Sequence, residues 1–409
     1  MKTNEPVKLW NRRAWLRTVA ASGSLISLES WAPEILLHAA EATSRDDRIL
    51  IVLEMAGGND GLNTIVPHGD EAYRRARPVI GIAAENTLAI TSEIGFHPAL
   101  RGLADLLEQA QLAVVQGVGY PNPNRSHFES MDIWHTCRMD KSARQEGGWI
   151  GRYLDAIDGA SFDDPPALHL GHDKQPLAVV SRDVRVPSIQ SLAQFRLKAR
   201  GGREFWKSIR SSSQEASSPS NDLLNFVRES DRSAMATSER LEAVNSSYTP
   251  SHAYPSLELG RKFETVAKLI ASGLLTKVYY LRIDGFDTHA NQPDAHAGLL
   301  REVSESVAAF IRDASAQGFG DRVLVMGFSE FGRRVAENAS EGTDHGTAGP
   351  VFLAGSSVRE GLIGVHPGLL DLDQGDLKHA IDFRQVYAGV LQDWLGVPAE
   401  PVLGGKYEP

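Results

Sequence analysis

Arg48-Ile49-Leu50-Ile51-Val52-Leu53-Glu54-Met55 runs directly into Ala56-Gly57-Gly58-Asn59-Asp60-Gly61. An unbroken apolar run of strand length, closed by a glycine-rich turn, predicts a strand buried on both faces of a parallel sheet. Outward from it the same grammar repeats. Pro98–Gln109 has helical periodicity, and Gln111–Val118 reads as a second buried strand ending in the loop Gly119–Asn124. Ser126–Thr136 reads as a helix with Ser126 near its start, and Pro166–Gly171 and Leu177–Ser181 as short strands. Further on come a helix over Ser256–Gly273, a strand over Lys277–Ile283, a long helix over Asp294–Ala316, strands over Arg322–Phe328 and Pro350–Ala354, and a terminal helix over Phe383–Leu395. Strands alternating with helices predict an α/β sandwich, its central sheet mostly parallel or mixed, with helices on both faces.

The 409 residues are 42% hydrophobic and 23% charged, which is globular composition and excludes wholesale disorder. At roughly 150 residues per domain the length fits two to three domains or one large α/β domain. The net charge of −10, with no basic cluster beyond the N-terminus, argues against a nucleic-acid partner. A single cysteine, Cys137, excludes an intrachain disulfide and any site built on several cysteines. No apolar run reaches the ~18 residues of a membrane span.

The N-terminus reads as an address. Arg12-Arg13-Ala14-Trp15-Leu16 precedes the short stretch of small and apolar residues Thr18–Leu28, the pattern of a twin-arginine export signal. Cleavage near Ala40-Glu41-Ala42 would remove residues 1–42 and leave one domain, 43–409. The expected location is periplasmic or extracellular, with the twin-arginine translocase as a transient partner and no membrane span after cleavage. Residues 200–255, rich in Ser, Gln and Pro at both ends, read as an insertion of surface helices and loops.

Polar residues gather where the predicted strands end. Asp60 follows the first strand and Ser126 the second. Asp287 and His289 follow the strand ending near Ile283, Glu330 and Arg333 follow the one ending near Gly327, and Asp344 and His345 precede the strand at Pro350. Ligands of open α/β sheets bind at the carboxyl ends of strands. Asp, Glu and His without Cys suit one or two divalent ions: zinc, manganese or magnesium, with calcium as a further option. Ser126 beside such an ion could ionise as a nucleophile, and Arg125 and Arg333 could hold the oxygens of a phosphate or sulfate ester. Each residue also has a plainer reading. Asp60 could stabilise its own turn, Ser126 could cap a helix, and Glu330 could pair with Arg333 three residues on. His97 and His127 read as structural neighbours or supports of the ligands. The joint placement at strand ends favours the metal site.

The motifs Gly57-Gly58-Asn59-Asp60-Gly61-Leu62-Asn63, Asn124-Arg125-Ser126-His127-Phe128, Phe286-Asp287-Thr288-His289, Ser329-Glu330-Phe331-Gly332-Arg333 and Asp344-His345-Gly346-Thr347 occur in that order behind the export signal. In this the chain resembles the bacterial domain-of-unknown-function family 1501, a relative of the alkaline phosphatase and sulfatase superfamily. The resemblance runs from about Arg48 to Gly396. It implies an alkaline phosphatase-like α/β sandwich with a metal site at the strand ends. It also implies Asp60 as the early metal-binding aspartate and Ser126 as nucleophile. Asp287 and His289 would serve one metal, Glu330 would stand at the second, and His345, with Asp344 beside it, would be the late metal histidine. Phe331 stands where the family pattern has a metal histidine, and Asp284 offers a further carboxylate. Ser126 is followed by His127-Phe128-Glu129, without the proline and arginine of a formylglycine sulfatase.

Two functions compete. One is an exported metal-dependent hydrolase of phosphate or sulfate esters, on a small molecule or a polysaccharide. The other is a non-catalytic binding or assembly protein on the same fold, suggested by Phe331.

Overall fold

The computed structural model describes residues 47–159, 164–171, 174–189 and 248–409. The expected export signal and most of the expected insertion, residues 200–247 of it, lie outside the described residues.

Nine strands form the central sheet. They are β1 (Ile49–Met55), β2 (Leu112–Gly119), β3 (Ala167–Leu170), β4 (Ser188–Ile189), β5 (Val278–Ile283), β6 (Val323–Phe328), β7 (Gly349–Ala354), β8 (Gly361–Ile363) and β9 (Ile381–Asp382). Their spatial order is β8-β2-β7-β6-β1-β5-β3-β4, with β9 also pairing β2. β1 is central, in parallel register with β5 (Val52 opposite Tyr280) and β6 (Val52 opposite Met326). Every residue of β1 is buried, as the unbroken apolar run requires.

Alternation along the strands sorts side chains to two cores. Leu50, Val52, Tyr280, Met326 and Val115 face one way, against α2 (His127–Thr136), α3 (Trp149–Ala156) and α6 (Phe383–Gly389). Ile51, Leu53, Tyr279, Leu281 and Val325 face the other, against α1 (Arg101–Glu108), α4 (Glu258–Ala271) and α5 (Gln292–Ala316). The sandwich expected from the sequence is the one found. On the first face Trp134 of α2 stacks between Phe328 and Phe383, centroids 5.1 and 4.4 Å away. That stack fixes α2 against the carboxyl end of β6.

One strand expected from the sequence is not found, and one strand makes the sheet mixed, as the expectation allowed. Leu177–Val179 is a turn of 3-10 helix rather than a strand, because it follows Pro176 and its neighbour Val180 gives its carbonyl to Gly148. β7 runs antiparallel to both its neighbours, β6 and β2. A parallel neighbour needs a crossover to the far edge of the sheet. The chain makes none after β6, so residues 329–348 stay at one edge and β7 starts there.

Candidate metal centre

The carboxyl ends of β1, β2, β5 and β6 and the amino end of β7 share that edge, and the motif residues meet there. The turn after β1 is built for close approach. Gly57 (φ +118°) and Gly58 (φ +77°) lie in backbone regions that favour glycine. A Cβ on Gly57 would come within 2.4 Å of the Asp287 backbone nitrogen, and one on Gly58 within 2.3 Å of the Phe331 ring. Arg333 fills the space this leaves. Its Nε donates to Gly58 O at 2.7 Å, Nη1 to Thr343 O at 2.8 Å, and Nη2 to Gly57 O, to Phe286 O at 2.9 Å and to Asp287 Oδ1 at 2.7 Å. The guanidinium is fully buried and fully engaged. Arg333 therefore staples three loops and charges Asp287 from behind, instead of facing an ester as expected.

Asp60 also departs from its expected role. Its carboxylate is inaccessible to solvent, 2.6 Å from Arg77 Nη1, and accepts from Gln292 Nε2. It also caps the single helical turn Gly61–Thr64 through Asn63 N. Burial works to raise its pKa, but Arg77 outweighs that and holds it below the usual range. Gln292 extends the tie, accepting from Thr288 at 3.1 Å and Thr343 at 2.6 Å. A resident cation already neutralises Asp60.

Asp287 presents the opposite picture. His345 Nε2 and His289 Nε2 each lie 3.1 Å from its Oδ1, and His127 Nε2 lies at 3.5 Å. The two nearer Nε2 atoms are 2.9 Å apart. Partial burial pushes the Asp287 pKa up, but Arg333 and His345 pull it down to about 2.

The far side of each ring decides its tautomer. His345 Nδ1 is 2.8 Å from the carbonyl of Arg125, which can only accept. His127 Nδ1 is 2.8 Å from Glu330 Oε1, and His289 Nδ1 is 3.2 Å from Asp344 Oδ1. In the neutral rings Nδ1 carries the proton, so each Nε2 presents a lone pair towards Asp287. His127 Nε2 is buried and makes no hydrogen bond. His127, Asp287 and His345 form the one grouping of metal-ligating atoms found among the described residues, with His289 against it. Phe331 is buried as a wall, its ring 4.9 Å from both His127 and His345. Glu330 is buried under His127; it also accepts from Gly57 N at 2.9 Å and Ser329 Oγ at 3.0 Å. The hydrogen bond to Glu330 is the largest influence on His127 and raises its pKa.

Ser126 stands at the N-cap position of α2, exposed, and its side chain makes no capping hydrogen bond. It lies between Arg125, whose carbonyl orients His345, and His127. Arg125 itself pairs with Asp376. Asp284 turns away to Arg282 at 2.6 Å.

Of the expected ligands the structure brings Asp287, His289 and His345 together. It sets Asp344 and Glu330 behind the imidazoles and takes Asp60 into an ion pair. The sequence reading missed His127 as a ligand position, although it directly follows Ser126 in the Asn-Arg-Ser-His motif. No sequence signal pointed to Arg77, which reaches Asp60 from the end of the separate helix Glu71–Ala76.

Residues 47–397 match the family described as Protein of unknown function (DUF1501). The chain belongs to that family. Comparison with curated proteins finds no match. Among solved structures, a protein in the alkaline phosphatase superfamily from Vibrio parahaemolyticus is similar over 97% of this chain and 78% of its own, at 8% identity and a TM-score of 0.40. The lipoteichoic acid synthase LtaP from Listeria monocytogenes is similar over 88% and 75%, at 10% identity and 0.36. A 2-O GAG sulfatase is similar over 88% and 76%, at 9% identity and 0.36. Likenesses this distant decide neither activity nor substrate.

Proposed function

We propose that the protein is an exported hydrolase of phosphate or sulfate esters, carrying one divalent ion held by His127, Asp287, His289 and His345, with Ser126 as nucleophile. The observation that carries this is the set of three Nε2 lone pairs converging on one carboxylate oxygen. Ring nitrogens and a carboxylate oxygen 3.1–3.5 Å apart are held together by protons on the rings or by a cation among them, and acceptors behind all three Nδ1 atoms leave the neutral rings with Nε2 lone pairs that suit a cation. The separations of Asp287 Oδ1 from the three Nε2 atoms, 3.1–3.5 Å, are close to the ~3.3 Å between neighbouring ligand atoms of a tetrahedral ion with bonds of ~2.0–2.1 Å. Three imidazoles with one carboxylate favour zinc over magnesium or calcium. Glu330, Asp344 and the Arg125 carbonyl fix the ring orientations, as acceptors behind metal-bound histidines do. One ion is proposed rather than two, because Asp60 is inaccessible to solvent and its oxygens accept from Arg77, Gln292 and Asn63.

A bound ion would supply Lewis acidity, favouring the serine alkoxide and offsetting charge on the ester oxygens. The chain's own residues do the rest. Ser126 directly precedes His127, is exposed, and does not spend its side chain on capping α2. Arg333 keeps Asp287 ionised, and Phe331 excludes water from one side of the imidazoles.

The test is elemental analysis of protein purified from its exported form, with a panel of phosphate and sulfate esters assayed on the same preparation. One zinc per chain with hydrolysis of either ester class is the expected result. Stoichiometric metal without turnover would leave a binding or assembly protein, and absence of any divalent metal would overturn the centre. For the export route, Arg12→Lys with Arg13→Lys should keep the protein in the cytoplasm; unchanged periplasmic yield would refute that assignment.

A further inference from the structure

Asp376 sits on the short hairpin Leu372–Asp373/Asp376–Leu377, and its side chain is inaccessible to solvent. Two guanidinium groups meet on it. Arg125 Nη2 pairs with Oδ2, and Arg334 Nε lies 3.2 Å from Oδ1. Arg334 Nη2 also donates to the carbonyl of Gln374. Both arginines nevertheless keep 40% and 36% of their side chains exposed. Among the described residues, Arg125 Nε and Nη1 and Arg334 Nη1 make no hydrogen bond to protein. A buried carboxylate with one arginine would be a balanced structural pair. With two it leaves a net positive charge at the surface and unspent planar donors.

The place of these groups gives them a use. Arg125 precedes Ser126, and its carbonyl holds His345. The backbone N–H of Arg334 donates to Asp344 O at 3.0 Å. The two guanidiniums thus come from the two segments that carry the serine and His345, and a third segment braces them. Arg333, the alternative cation, is fully buried, and each of its three nitrogens already donates to protein.

We infer that Arg125 and Arg334, braced by Asp376, form the subsite that recognises the tetrahedral oxyanion of the ester. Guanidinium forks match such groups bidentately, and a braced fork loses little conformational entropy on binding. The helix α2 starts at the same point, and its uncapped amino end adds positive potential. Asp376 is a positioning residue and touches no ligand. The subsite rests on the proposed esterase activity only for the chemical step after binding; anion recognition stands without it.

The experiment is isothermal titration of inorganic phosphate, and in a second arm inorganic sulfate, into the full-length zinc-treated protein at low salt. Zinc content is counted on the same samples. Wild type should bind at least one of the two anions. Arg125→Gln and Arg334→Gln should each weaken that binding tenfold or more, with zinc content unchanged. Asp376→Asn should weaken it as well, and Asp376→Glu should restore part of the loss, which a merely structural role would not predict. Lys378→Gln, at an exposed lysine paired with Asp371, should bind as wild type does. If either glutamine variant fails to fold, Arg334→Lys, which keeps the charge and loses the fork, should bind more weakly than wild type. Zinc binding with anion affinity unmoved by the arginine variants overturns the subsite and leaves the metal reading standing. Anion binding that is lost in the variants of a zinc-free protein supports the subsite and defeats the metal reading. A wild type that binds neither anion overturns the subsite.

Discussion

Asp60 and Asp287 are aspartates at the ends of adjacent parallel strands, and they end in opposite electrostatic states. Asp60 is sealed, with Arg77, Gln292 and Asn63 saturating its oxygens. Asp287 is about half exposed and faces three ring nitrogens that present lone pairs. Each carboxylate has its guanidinium, Arg77 on Asp60 and Arg333 on Asp287; what separates them is the other side, where Asp60 meets only further donors and Asp287 meets ring nitrogens able to hold a cation with it. Residue type at a strand end therefore says where a ligand could bind, and the groups on its other side say whether one is wanted.

The comparison can be broken most sharply at Ser126, on the open side. Ser126→Ala should lower ester turnover by ~10³-fold or more with zinc content and melting temperature little changed. Retained turnover in a kinetic assay of that variant would return the residue to helix structure, though its side chain caps nothing here. On the closed side, Arg77→Met leaves the Asp60 carboxylate buried and unpaired and should cost about 3–5 kcal/mol in denaturant unfolding. Zinc per folded chain should stay the same; its loss would mean that Asp60 belongs to the metal after all.

A finer contrast lies behind the imidazoles. Glu330 is buried and Asp344 exposed, so Glu330→Gln should weaken zinc affinity by about 10–100-fold in competition with a chelator, and Asp344→Asn by less. Equal effects would mean that solvent screening is unimportant at this rim. The smallest effect concerns pH. Burial holds His97 down to about 4 and His296, bonded to Asn59 at 2.9 Å, down to about 3, from 6.5. The unfolded chain takes up protons near pH 6.5 that the folded chain refuses, so this stability is full above 6.5 and drains away as pH falls towards 4 and 3. Melting temperature should drop between pH 7 and 5, and His97→Gln should flatten the slope. A parallel slope in the variant would assign the acid sensitivity elsewhere.

Much of the fold was legible because its signals are local. β6 is an unbroken apolar run and β1, β2 and β5 are runs with one polar residue each, Glu54, Gln116 and Arg282, while α4 and α5 carry helical periodicity. β8 and β9, three and two residues long, carry no periodicity, and Pro176 turns an apolar segment away from strand geometry. The site was legible as a set of strand-end residues, which put Asp287, His289 and His345 in one place. Their division of labour was not legible. Asp60 and Arg77 are 17 apart in sequence, and His127 and Glu330 are 203 apart, so nothing local announces either pairing. Arg333 looked like a free cation because a side chain's donors are counted only once the loops around it close.

The antiparallel return of β7 has a consequence for how the protein matures. His345 reaches Asp287 only when the loop between β6 and β7 has folded back on itself, with Arg333 and His345 bridging across it. Glu330, by contrast, locks onto Gly57, 273 residues earlier. Contacts of such sequence separation form late, because chain entropy must be lost before they repay it. The pocket proposed to hold the cation is therefore among the last parts of the molecule to exist, and a nascent chain stopped before His345 cannot assemble it. Under the proposed reading, metal uptake would report completed folding, a property that would serve the twin-arginine export proposed above.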